Sequence, residues 1–92
     1  MRRLLRWFQR RRAAASRDRV AIGRALACFQ AGRKIEPMGA HIVRREAHHL
    51  VVRVMYFTNH IPPDRAWYAV SDDEGAIREL SFADAGDTAP WR

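Results

Sequence analysis

Arginine is the residue type best placed to do chemistry in this chain, and its distribution is uneven. Arg2, Arg3, Arg6, Arg10, Arg11, Arg12, Arg17 and Arg19 all precede residue 20, a stretch in which Asp18 is the sole carboxylate. A guanidinium group presents a planar fork of N–H donors that matches phosphate or carboxylate oxygens, so these residues are suited to an anionic partner. Without one, the like charges repel each other. Nucleic acid is the favoured partner, and neutralising about four phosphates would make log K fall with log salt at a slope of roughly −3 to −4. An anionic membrane surface is the alternative, because Leu4, Leu5, Trp7 and Phe8 interleave the arginines as they would in an interfacial helix. The apolar stripe is short for that role, and no lipidation motif adds a second anchor. The plain alternatives are a solvated terminus, or aromatic residues docked on the body beneath a cover of arginine stems, as in a protein-interaction domain.

Histidine is the next residue type to weigh. His41, His48, His49 and His60 lack a metal-ligand spacing such as two histidines four apart on a helix, and Cys28 belongs to a helical stretch away from them. On a strand, His48 and His49 would point to opposite faces. The expectation is therefore no metal and no cofactor. For catalysis, no nucleophile–base–orienter set and no phosphate-binding glycine loop can be assembled, and Asp72, Asp73 and Glu74 share an expected exposed hairpin. An enzymatic alternative would place its site in a concave sheet face lined by Tyr56, Tyr68, His60 and Asp64. The loop at 59–64, flanked by Arg65, Trp67 and Tyr56, is a further recognition candidate, and a rigid Pro-rich crossover is the simpler reading of it. Arg53, inside an apolar run, calls for a carboxylate such as Glu79 or Glu46 on a neighbouring strand.

The elements that must position these residues follow from hydrophobic patterning. Residues 50–57 (Leu-Val-Val-Arg-Val-Met-Tyr-Phe) form the longest apolar, β-branched run and read as a central strand needing cover on both faces. Ile22, Leu26 and Phe29 recur at i, i+4, i+7 and predict a helix over 17–31 facing the sheet. A second helix over 3–14, separated from the first near Ser16, or one helix running through both, accounts for the start of the chain. Gly32 is the expected C-cap. Strands are expected at 40–46, 49–58, 65–71 and 76–82, with a tight reversal at 47–48, a hairpin at 72–75 and a Gly/Pro/Asp-rich tail from 83 in which Trp91 is a possible anchor.

The fold class is thus α+β: an N-terminal helix, in one or two segments, packed on a four-stranded antiparallel meander. Residues 1–15 are a basic arm and 16–92 a single small domain. Residues 1–34 carry a net +10 and residues 35–92 a net −3, which together make the overall +7. A domain this small buries about 60–65% of its unfolded surface, and one helix covers only one sheet face, so a homodimer is expected to cover the other. The single cysteine demands no oxidising compartment, the charged start is followed by no apolar run of a secretory leader, and no stretch is apolar enough to span a bilayer. A cytoplasmic, non-catalytic binding module is the reading that these observations favour.

Overall fold

The computed structural model describes residues 2–58, 63–73 and 75–87, and over residues 2–14 it describes the course of the backbone only. Asn59, His60, Ile61 and Pro62 of the expected loop, Glu74 of the hairpin, and Trp91 in the tail lie outside the described residues.

A single helix, α1 (Arg2–Arg33), runs without a break through the joint near Ser16 that a two-segment arrangement requires. Neither proline nor glycine falls between residues 2 and 22, and Ala13, Ala14 and Ala15 are strong helix formers at the supposed joint, so Ser16 caps nothing. Gly32 is also not the cap. The helix passes it and ends one residue later at Arg33, after which Lys34 takes up the left-handed conformation (φ 53°) while its amide donates to the Gln30 carbonyl at 3.0 Å.

Four strands follow in sequence order, β1 (Pro37–Arg45), β2 (His49–Tyr56), β3 (Asp64–Ser71) and β4 (Ile77–Leu80), each antiparallel to the next. The apolar run at 50–57 becomes β2, an interior strand, as its two-faced hydrophobicity requires. β1 starts earlier than its expected residue 40 because edge strands tolerate a proline such as Pro37, and register shifts at 37–39 and 42–44 bend it. β4 stops before residue 82. Ser81 is extended and its hydroxyl accepts the Asp84 amide at 3.2 Å, which starts the short helix α2 (Phe82–Ala85); Gly86, at φ 64°, ends it.

Alternation along β2 and β3 divides the core in two. Leu50, Val52, Val54, Ala66, Tyr68 and Val70 face Ala21, Ala25 and Phe29 of α1, and every one of these is buried. Each fully buried aliphatic side chain of this set contributes about 1.5–3 kcal/mol. On the opposite face Val51 and Trp67 pack with Ala85 of α2, flanked by Val43 and Leu80, and the Phe82 ring meets Trp67 edge-on at 5.5 Å. The second sheet face is therefore covered at its centre by the chain's own C-terminal segment.

Beneath that cover lies an ion pair. Arg53 donates to Asp87 at 3.0 Å with side-chain exposures of 6% and 2%, and the Trp67 indole N–H donates to the same carboxylate oxygen at 2.9 Å. The counter-charge of Arg53 thus comes from the tail, in place of Glu79 or Glu46 of a neighbouring strand. Glu79 pairs instead with Arg33 at 2.7 Å, and Glu46 with Arg44 at 2.8 Å.

Candidate nucleic-acid interface

The site is built at one rim of the sheet. β1 and β3 run in the same direction, so the residues that follow them, Glu46 and Asp72, emerge at the same end. Arg17 on α1 bridges them: Nε donates to Asp72 Oδ1 at 2.8 Å, and Nη2 donates to Asp72 Oδ2 at 3.1 Å and to the Glu46 carbonyl at 3.0 Å. The next residue, Asp18, accepts two hydrogen bonds from Arg45 at 2.6 and 2.7 Å, and two turns beyond Arg17, Arg24 donates to the Ser71 carbonyl at 2.7 Å. These bonds fasten α1 to the rim. At the other end of the docked stretch, Phe29 packs on Tyr56 with ring centroids 5.0 Å apart, and Arg33 lies over both rings while donating to Tyr68 Oη at 3.0 Å.

From Arg17 to Arg33 the helix rises about 24 Å, which is close to the length of an eight-residue strand. The helical backbone N-terminal to Arg17 therefore continues past the rim for roughly another 22 Å. The longest dimension of the molecule, 54 Å against 27 and 23 Å for the other two, reflects this overhang.

Of the eight arginines marked by sequence, Arg17 belongs to the fastening and pairs with Asp72, while Arg19 is exposed on the docked part of the helix. The side chains of Arg2, Arg3, Arg6, Arg10, Arg11 and Arg12 lie outside the described residues. The fastening carboxylates are firmly ionised. The hydrogen bond from Arg45 holds the Asp18 carboxyl below its usual range against the opposing effect of burial, and that from Arg17 does the same for Asp72. Burial pushes the Tyr68 phenol up, and Arg33 is held more strongly protonated by its hydrogen bond to Glu79.

The residues of the enzymatic alternative do not form an open concave site. Tyr68 is buried under α1 and Tyr56 packs against Phe29, so that sheet face is filled by the helix. Asp64 is exposed at the start of β3, and His60 lies outside the described residues. Among the described residues no three His, Cys, Asp or Glu side chains gather as metal ligands. His41 is paired in register with Arg53, away from the other histidines. Nor, among them, is any helix long and apolar enough to cross a membrane.

One feature of the rim escapes sequence reasoning. On the sheet face opposite α1, a groove of about 350 Å³ is lined by His48, His49, Ala69, Ser71, Ile77 and Arg78. His48 lies in the turn before β2 and is free of the strand alternation that would have turned it away from His49, so both imidazoles reach the groove. Arg78 arrives from β4 through its pairing with Ala69. The adjacent histidines were the available signal, but Arg78 is thirty positions beyond His48 and only strand pairing brings it close. No protein-family model, curated protein or solved structure matches this chain.

Proposed function

We propose that this protein is a non-catalytic nucleic-acid-binding module whose N-terminal helix supplies the phosphate contacts. The observation that carries this reading is the continuation of α1 beyond the sheet rim with six arginines and no carboxylate from Arg2 to Ser16. Five carboxylates are taken up within the body, where Asp72, Glu79, Glu46, Asp18 and Asp87 pair with Arg17, Arg33, Arg44, Arg45 and Arg53 in turn, and the net +10 of residues 1–34 exceeds the net −3 of the rest, which favours an outside anion. Arg3, Arg6 and Arg10 recur at i, i+3, i+7, which places them along one side of the helix at axial steps of about 5–6 Å. That scale suits successive phosphates. Positive charge at a helix N-terminus opposes the macrodipole and like charges one turn apart repel, so a bound polyanion stabilises a helix that is otherwise electrostatically disfavoured.

The test is affinity for single-stranded and duplex oligonucleotides across salt. A slope of log K against log salt near −3 to −4 is expected, falling by about one for each of Arg3→Ala, Arg6→Ala and Arg10→Ala. A flat salt response overturns the proposal. Binding confined to anionic vesicles and abolished by Trp7→Ala would assign the helix to a membrane surface instead. A cytoplasmic location belongs to the same reading, as does self-association. For the latter, β1 is an open sheet edge, and Met38 and Phe57 are 57% and 60% exposed. A monomer in sedimentation at high micromolar concentration removes the dimer.

A further inference from the structure

The groove of His48, His49 and Arg78 has no part in holding the fold together. The three side chains make no hydrogen bond or ion pair to any described residue, and two of them, His48 and Arg78, are exposed. Between them the lining is apolar, with Ala69 on this face and Ala76 and Ile77 at the edge, the last of which also packs with the α1-side core. Ser71 Oγ accepts the Asp73 amide at 3.2 Å, so its proton is free to be donated outward. Asp72, beside the groove, takes two hydrogen bonds from Arg17, and its carboxylate also interacts electrostatically with His48 and His49. What remains is a concavity of small-ligand size with three cationic or imidazole side chains, a hydroxyl donor and a hydrocarbon base.

We infer that this groove is a nucleotide subsite, taking one unstacked nucleotide of a single strand whose neighbouring phosphates lie along the overhanging half of α1. The inference rests on the function proposed above and refines its substrate from nucleic acid in general to single strands. Position carries it first. Ser71 lines the groove while its carbonyl accepts Arg24 of α1 at 2.7 Å, and the next residue, Asp72, donates its amide to the His48 carbonyl at 2.9 Å while its carboxylate holds Arg17, so the groove and the point at which α1 leaves the sheet meet at one rim. A strand following the helix arginines reaches the groove by turning over that rim onto the opposite sheet face. Chemistry carries it second: imidazole and guanidinium planes stack on bases, Arg78 adds a phosphate contact, and a shallow apolar floor accepts the π-face of any base. A duplex keeps its bases paired and stacked and cannot fill such a groove.

Fluorescence anisotropy with a labelled twelve-nucleotide oligothymidylate and a twelve-base-pair duplex tests this with the full chain. Arg78→Ala combined with His49→Ala is expected to weaken single-strand binding about tenfold and duplex binding less than twofold. Ala69→Leu, which fills the groove without removing charge, is expected to give the same selective loss, and melting curves identify any variant that has lost the fold. Thymidine 5′-monophosphate should shift the His48 and His49 imidazole resonances where equimolar inorganic phosphate does not. If both oligonucleotides bind with a steep salt slope but the groove variants weaken them equally or not at all, the subsite is wrong and the proposed function stands. If neither binds, both are wrong.

Discussion

At the scale of single residues, the Arg53–Asp87–Trp67 cluster shows how a buried charge is made tolerable. Arg53 lies in the central strand where apolar neighbours deny it water, and Asp87 and Trp67 supply a counter-charge and a second hydrogen bond to the same oxygen. Removing one member of such a pair costs more than removing both. Asp87→Asn is expected to destabilise the protein by about 3 kcal/mol, since it withdraws the carboxylate from a guanidinium that stays buried. Adding Arg53→Met to that variant should recover more than half of the loss, and urea denaturation of the four members of the cycle measures it. Equal costs for the single and the double variant would mean that the ion pair is not the feature that matters. Sequence reasoning recognised that Arg53 needs an acid but looked along adjacent strands, where register makes pairs readable. Asp87 is 34 positions away, in a tail whose fold-back depends on tertiary packing of Phe82 and Ala85 against Trp67.

At the scale of elements, most of the architecture was legible because each strand carries its own hydrophobic signature, and 50–57 could be nothing but an interior strand. The ends were less so. Ser81-x-x-Asp84 followed by Gly86 is a helix start and stop that the period-2 pattern of Leu80 and Phe82 concealed, since a helix of four residues has too few positions to show a period of its own. At the end of α1 two candidate stops stand two residues apart, and the helix takes the less favourable one. Gly32 is helical, with open space where a Cβ would be, while Lys34 bears the left-handed conformation that glycine adopts without strain. Gly32→Ala should therefore stabilise the protein by about 0.5–1 kcal/mol, and Lys34→Gly by about 1 kcal/mol, both read as higher urea midpoints. Were Gly32 the true cap, alanine there would lower the midpoint. Gly86 gives the contrasting case: its φ of 64° and the Arg44 Nη1 atom 2.6 Å from a Cβ built there leave alanine both strained and crowded.

Across the whole molecule, the division of charge between the leading third and the body becomes a division of labour along α1. The C-terminal half of the helix lies on the sheet with Ala21, Ala25 and Phe29 buried, where Arg17 and Arg33 answer carboxylates of the body and Arg24 its carbonyls. The N-terminal half continues past the rim with no acid of its own before Asp18. Composition made the charge asymmetry plain, but not the continuity of the helix across residue 15, which rests on the absence of a breaker and on the docked half acting as a nucleus for the rest. Folding and binding should separate accordingly. Deleting residues 2–14 leaves intact every fastening from Arg17 onward, so the unfolding free energy and its denaturant dependence should stay within about 1 kcal/mol and 10% of the full chain's. The same deletion removes Arg2, Arg3, Arg6, Arg10, Arg11 and Arg12, and with them the electrostatic part of the affinity, so nucleic-acid binding at 0.15 M salt should fall by at least a hundredfold. Urea titration and anisotropy on the one truncated protein measure both quantities. Loss of stability together with binding would show that the overhang belongs to the folded body, while retention of both would move the binding surface off the helix.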